Sequence, residues 1–531
     1  MSSNLQKIDH IVVLMLENRS FDNVLGWLGA SDEGGQKING VAGKNLTNPI
    51  PEYVRPPDGT DSVPVGVGDR DHMTYPNPDP GEEYAHINTQ LFGTILPEEN
   101  RFNAHNPKPP YNLPAEPPAA PPMNGFVTDY VDLLYATSGI MPEYQHYKTI
   151  MDCFPEDAVP VLSKLAREYA VFDAWFASVP SQTLCNRSFM HAATSHGYVL
   201  NSPFIHWMLH DAPTIFNRLA EKNISWRVYF DKLDILSLAG LQNPALWKYH
   251  NSNFKHMEDF YKHAADGTLP SYAFIEPRFF MDHNDQHPPV GKKFFTTSSV
   301  LSGEQLLKCI YEALKNGPHW EKTLFIITFD EHGGCYDHVS PPAAIPPDPN
   351  KPKGEQDFQF DRLGIRVPTV MISPYIKQGT VISDVHDHTS IIKTICDRWS
   401  LEPLTERDRH ATNFENVLNL ESPDRRDGFL LEARPYRPSR AKLDEPLTDL
   451  QKTVLYLLAG VEDVLRIIDD KHIMHKMEAG MKIIPDEARV SRIKTVGQAI
   501  HYTLDIDRRV TKHLSFWGWL KMKIKLIFRM F

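Results

Sequence analysis

The sequence predicts an α/β protein, a three-layer α/β/α sandwich with a helical C-terminal appendage. Short, uninterrupted apolar runs such as residues 11–16 and 324–329 fit strands covered on both faces, as in a parallel sheet packed between helices. Amphipathic stretches such as residues 303–314 alternate with these runs, the pattern of βαβ layering. Past about residue 440 the strand signals give way to helical periodicity. A chain of 531 residues with 41% hydrophobic content has ample material for a large core.

Taken in order, the first run ends in Glu17-Asn18 and the run at 324–329 ends in Asp330-Glu331. Ligands of open α/β sheets bind outside the carboxyl ends of the strands. Three carboxylates and an amide, gathered there from segments about three hundred positions apart, are costly to bring together unless a cation neutralises them. Solvated acids at two ordinary strand-to-loop junctions are the alternative. From about residue 30 to 125 the chain is loop-rich, and eight prolines between Pro107 and Pro122 predict an extended stretch that wraps the surface or roofs a pocket. Further core strands are expected at 169–176, 226–230, 272–275 and 367–372, and a second proline-rich loop, 341–352, near the mouth of the site. Helices are expected at 447–458 and 461–473. The reading divides the chain into a catalytic domain, 1–440, and a helical C-terminal region, 441–531.

A formal net charge of -12 excludes nucleic acid as the main partner, which calls for a broad basic surface. The charge is uneven, however. From Arg508 to Phe531 there are Arg508, Arg509, Lys512, Lys521, Lys523, Lys525 and Arg529 and no acid. In residues 514–531, Lys521, Lys525 and Arg529 share one helical face while Trp517, Trp519 and aliphatic residues fill much of the rest. Four charges in that stretch argue against a spanning helix and for an interfacial one on an anionic membrane surface. A terminal helix docked on the core or on a partner chain is the alternative. Five widely spaced cysteines without a C-x-x-C pair suit a reduced compartment. The N-terminal run is a core strand rather than a signal peptide, which points to a cytoplasmic protein, or one delivered by a dedicated secretion machine, that acts peripherally on membranes.

Five strings then become specific: Glu17-Asn18-Arg19-Ser20-Phe21-Asp22, Thr183-Leu184-Cys185-Asn186-Arg187, Glu276-Pro277-Arg278, Asp285-Gln286-His287-Pro288, and Asp330-Glu331-His332-Gly333-Gly334-Cys335-Tyr336-Asp337-His338-Val339. Together, in this order, they resemble the phosphoesterase family of bacterial phosphatidylcholine-hydrolysing phospholipases C, plant non-specific phospholipases C and a related acid phosphatase. The resemblance spans most of residues 8–420 and implies an alkaline-phosphatase-like fold. It implies Thr183 as nucleophile, Glu17, Asn18, Asp330 and Glu331 with Thr183 as ligands of a divalent metal, His287 as general acid and Arg187 as a phosphate clamp. By its residues alone, Thr183 reads as a helix N-cap and Arg187 equally as a partner for a carboxylate. Glu82, in Asp79-Pro80-Gly81-Glu82, stands where plant relatives have histidine, so Glu82 or nearby His86 takes over any catalytic part of that group. Cys185 stands where many relatives have proline. Bacterial relatives imply zinc, whereas an all-oxygen ligand set suits calcium, magnesium or manganese. The implied activity is hydrolysis of glycerophospholipids to diacylglycerol and a phosphorylated headgroup. A phosphomonoesterase and a non-catalytic membrane-binding effector are the alternatives.

Overall fold

The computed structural model describes residues 4–29, 38–68, 75–201, 207, 210, 212–234, 236–279, 283–289, 299–351, 353–424 and 428–435, with scattered positions between 447 and 502. Eight strands form the central sheet: β1 (His10–Leu16), β2 (Ala170–Phe172), β3 (Trp226–Phe230), β4 (Phe254–His256), β5 (Tyr272–Ile275), β6 (Thr323–Phe329), β7 (Thr369–Ile372) and β8 (Thr380–Ile382). Their order is β8-β2-β7-β6-β1-β5-β3-β4. All run parallel except β7, which lies antiparallel between β6 and β2.

The helices that matter for the site are α1 (Tyr84–Phe92), α2 (Phe126–Ser138), α3 (Pro160–Glu168), α4 (Thr183–Ala192), α5 (Ile215–Glu221), α6 (Met257–Asp266), α7 (Val300–Lys315) and α8 (Thr389–Trp399). Helices α3, α6 and α7 pack in series, and α4 touches both α5 and α8. Every residue of β1 and β6 is buried, so both faces of the sheet are covered, as continuous apolar runs require. The α/β reading therefore holds.

Some details differ from expectation. The run at 169–176 is two strands, because the chain turns at Asp173-Ala174 and Trp175–Phe176 pairs with His386–Asp387 in a separate ribbon. The loop-rich region contains α1, whose nine residues are all buried against α2 and its surroundings. β4 and β8 are three-residue edge strands, too short to register as apolar runs. The helices expected at 447–458 and 461–473 and the basic tail lie largely or wholly outside the described residues. Leu447, Leu455, Ala459 and Ala499 are described and buried, in one apolar cluster with Tyr84, Leu184, Phe189 and Phe279. The five cysteines are free thiols, four of them buried.

Candidate active site

β1 and β6 are neighbours with Leu16 opposite Phe329, so the residues that follow each strand emerge side by side. The Asp330 N–H donates to Leu16 O at 3.1 Å, and the Arg19 N–H donates to Glu331 O at 3.1 Å. Asp330 Oδ1 accepts the N–H groups of Asn18 (3.1 Å) and Glu331 (2.8 Å). Asn18 sits at φ 55°, a left-handed conformation that asparagine tolerates better than most residues. Across from it Gly333 has φ +60°, and a Cβ there would lie 2.3 Å from Asn18 O, so only glycine fits the turn. On the other side of β1, the loop after β5 brings Asp285 and His287 to the same edge. The Glu17 N–H donates to Asp285 O at 2.8 Å, and the His287 N–H to Asp285 Oδ1 at 3.0 Å.

Helix α4 points its N-terminus at this edge. Thr183 is its first helical residue and Gln182 occupies the N-cap position, which corrects the expectation that Thr183 caps the helix. The Gln182 side chain turns instead to Glu82: its Nε2 donates to Glu82 Oε1 at 3.2 Å, and Asn18 Nδ2 donates to Glu82 Oε2. One helical turn past Thr183, Arg187 reaches back beneath the strand ends. Its Nε donates to Asp330 Oδ2 at 3.1 Å, and its Nη2 to Glu17 Oε1 at 3.2 Å and to the carbonyls of Met15 and Leu16 at 3.3 and 3.4 Å. The geometry thus brings Glu17, Asn18, Glu82, Thr183, Arg187, His287, Asp330 and Glu331 to one edge of the sheet.

The phosphoesterase family model matches residues 8–402. The chain belongs to the phosphoesterase family. Its relatives include non-specific phospholipase C6 of Arabidopsis thaliana, 36% identical over 85% of this chain and 80% of that protein. Non-specific phospholipase C3 of the same plant is 32% identical over 96% and 95%. Phospholipase C B of Mycobacterium tuberculosis is 26% identical over 83% and 81%. Similar solved structures include a lipoteichoic acid synthase from Listeria monocytogenes, 12% identical at a TM-score of 0.33 over 67% of this chain and 86% of that one. This phosphoesterase is therefore a hydrolase acting on phosphodiester bonds.

The electrostatics of the phosphoesterase's site are those of acid gathered and buried at one edge of the sheet. Glu17 and Glu331 are fully buried, and burial together with the neighbouring Asp330 pushes both carboxyls well above their usual range. Arg187 offsets part of this at Glu17. Four oxygens, Glu17 Oε2, Asn18 Oδ1, Thr183 Oγ1 and Glu331 Oε1, are buried without a hydrogen-bond partner among the described residues. Orphaned buried acceptors are rare in folded proteins, and four contributed by four of the five expected ligands fit a bound divalent ion. Asp330 differs in that both its oxygens already accept hydrogen bonds. Arg187 is a support for the carboxylates more than a clamp open to substrate, with only Nη1 uncommitted.

His287 donates or accepts through Nδ1 at the Pro288 carbonyl (2.6 Å), and burial holds its pKa below the ordinary histidine range against the pull of Asp285. His332 lies beside Glu331 Oε2 at 3.4 Å, and burial lowers its pKa to about 3, so it is neutral. His388 Nε2 meets the Asp330 carbonyl at 2.6 Å, and His338 pairs with Asp22 in a network closed by Arg366 and Asp337. Each of these three rings is thus engaged with a neighbouring loop or strand end.

Two supporting residues escaped sequence reading. Gln182 stands just before the Thr183 string and belongs to no motif of its own. Gln90, buried in α1, meets His332 Nε2 through Oε1 at 2.7 Å and donates Nε2 to Gly81 O (2.7 Å) and Asp129 Oδ2 (2.8 Å). It thereby ties the Glu82 turn to the Glu331 loop, a long-range link for which no local signal exists.

Proposed function

We propose that this phosphoesterase is a phospholipase C that cleaves glycerophospholipids, phosphatidylcholine among other headgroups, on the glycerol side of the phosphate. The observation that carries the reading is the set of four orphaned buried oxygens at the carboxyl ends of β1 and β6, one of them the hydroxyl of Thr183 at the start of α4. Glu17, Asn18, Asp330, Glu331 and Thr183 would hold the divalent ion, zinc by family resemblance, with calcium, magnesium or manganese equally suited to the oxygen set. When bound, the ion supplies charge neutralisation and Lewis-acid polarisation of a phosphoryl oxygen.

Thr183 Oγ1 attacks phosphorus, the bond to the glycerol oxygen breaks, and diacylglycerol leaves. Water then attacks phosphorus and releases the phosphorylated headgroup with regeneration of the threonine hydroxyl. The free N–H groups at the start of α4 and the positive end of its dipole favour a phosphoryl group there. Arg187 keeps Glu17 and Asp330 in register across the two strands. His287 protonates the leaving alkoxide; its buried imidazole gains the proton only when an anionic phosphate stands beside it, which limits its charged form to the substrate complex. The basic amphipathic segment 514–531 brings the enzyme to anionic membrane surfaces, with residues 441–531 as its C-terminal region.

The test is Thr183→Ala on phosphatidylcholine and phosphatidylglycerol vesicles. Turnover should fall by at least about 10³-fold with vesicle binding intact, since a covalent mechanism loses its nucleophile. Turnover within about tenfold of the native protein would remove Thr183 from the chemistry.

A further inference from the structure

The four orphaned oxygens at the carboxyl ends of β1 and β6 are acceptors and call for a cation. Orphaned donors, which a cation would repel, stand near them. Arg187 Nη1 is one, and Asn201 Nδ2 is another. Each is buried without a hydrogen-bond partner among the described residues. Asn201 is 2% exposed and belongs to the segment that follows α4.

The other polar groups of Asn201 are committed, and they fix where its side chain stands. Its N–H donates to Gln182 Oε1 at 3.0 Å, and its carbonyl accepts Trp207 Nε1 at 3.1 Å. Its Oδ1 accepts the Leu184 N–H at 2.9 Å. Leu184 is the second residue of α4, so Asn201 caps from a distance a helix whose own N-cap, Gln182, makes no side-chain cap bond. A backbone N–H has to meet oxygen, so the amide cannot be flipped, and the NH2 group is the half left over. That group stands at the first turn of α4, the turn that begins with Thr183. The segment is pinned from both sides: Glu355 Oε2 accepts the N–H groups of Val199 and Leu200 at 2.8 and 3.0 Å, and Ser181 Oγ donates to Val199 O.

A buried NH2 group is costly unless an acceptor meets it. An acceptor bound here brings its oxygen to the start of a helix, where the macrodipole favours negative charge. A non-bridging oxygen of a phosphodiester satisfies both conditions. We infer that Asn201 Nδ2 donates to a non-bridging oxygen of the substrate's phosphate and that this hydrogen bond strengthens as Thr183 Oγ1 attacks. The inference rests on the reading under Proposed function and adds a substrate-contacting residue to it. As the threonine oxygen bonds to phosphorus and the glycerol oxygen departs, Asn201 stabilises charge on the non-bridging oxygen through an intact N–H, and it transfers no proton. Asparagine suits the double task because one planar group offers the acceptor that caps α4 and the donor that meets the phosphate.

The test pairs Asn201→Asp with Asn201→Ser in the full chain. Aspartate keeps the oxygen for the Leu184 N–H and replaces the donor with an acceptor, whereas serine keeps a short hydroxyl and lacks the NH2 group. Turnover of phosphatidylcholine vesicles, as kcat/KM, should fall by at least about 10²-fold in Asn201→Asp. Inorganic phosphate, titrated calorimetrically into each protein, should bind at least about tenfold more weakly to both variants. The thermal unfolding midpoint of Asn201→Asp should stay with that of the native protein, because aspartate caps a helix as well as asparagine does. Turnover and phosphate affinity of Asn201→Asp within about threefold of native overturn the inference. Lower turnover with native phosphate affinity overturns it too, and leaves Asn201 as a cap for α4 alone. If the native protein leaves phosphatidylcholine intact, the lipid reading fails, and the phosphate titration still decides the role of Asn201. Should neither variant fold, the native protein crystallised with inorganic phosphate decides: a phosphate oxygen within about 3.2 Å of Asn201 Nδ2 upholds the inference, and phosphate bound away from it overturns it.

Discussion

Arg187 is the residue whose replacement should be most instructive. It is almost fully buried, bridges Glu17 and Asp330, and also holds the carbonyls of Met15 and Leu16. Arg187→Met keeps the apolar stem, packed near Phe279, and removes only the guanidinium. Breaking a buried ion pair by deleting one partner costs about 3–5 kcal/mol, because the other charge is left uncompensated. Here two carboxyls lose their partner, and Glu17, already pushed upward by burial, rises further without the guanidinium. Equilibrium unfolding in urea should therefore show a loss of at least about 3 kcal/mol at pH 7. The loss should shrink at pH 5, where Glu17 is more readily protonated. Arg187→Lys should recover only part of the loss, since one ammonium cannot span both carboxylates and two carbonyls in the same geometry. An Arg187→Met protein within about 1 kcal/mol of the native one at pH 7 would refute the claim that this guanidinium is what holds the acidic edge together.

Three further outcomes are expected, two from the structure and one from the sequence of the C-terminal tail. Gln90→Leu should destabilise by about 2–4 kcal/mol, by stranding Asp129, Gly81 O and His332, and should weaken metal affinity measured by titration, because the Glu82 turn and the Glu331 loop lose their tie. In the buried pair of His86 with Asp129 at 2.7 Å, burial opposes the charged imidazole but the Asp129 carboxylate outweighs it and raises the pKa to about 10. A histidine raised in the folded state contributes stability that is fully present below its unfolded value of 6.5 and lost as pH rises towards 10. Unfolding free energy should therefore fall across that window, by at most about 5 kcal/mol, and Asp129→Asn should flatten the slope. Deletion of residues 514–531 should reduce co-sedimentation with anionic vesicles while leaving hydrolysis of a soluble substrate unchanged; equal sedimentation would remove the tail from membrane targeting.

Much of this architecture was legible because burial on both faces leaves a signature. The runs 226–230 and 272–275 are strands with those same limits, and 11–16 and 324–329 each gain one residue at the start. Where the signature is short it fails, as at Phe254–His256, and where the chain turns inside an apolar stretch it merges two strands, as at 169–176. The acidic pairs after β1 and β6 were legible for a topological reason: parallel neighbours deliver their following residues to the same edge. Asp285 stood within a string that drew attention for His287, and its place beside Glu17 depends on a contact between distant loops. Thr183 was placed one position off in its helix because glutamine is an uncommon N-cap, and here Gln182 directs its side chain to Glu82 instead. Gln90 and its partners show the limit of local reading, since a buried amide in a helix gives no sign of which loops it joins.

The central claim, metal-dependent hydrolysis on the glycerol side of the phosphate, is tested most directly by mass-resolved product analysis. Purified protein would be incubated with mixed phosphatidylcholine and phosphatidylglycerol vesicles, before and after chelation and with zinc, calcium or manganese added back. The account predicts diacylglycerol and phosphorylated headgroup, lost on chelation and restored by one of the ions. Intact lipids alongside hydrolysis of a simple aryl phosphate monoester would contradict it.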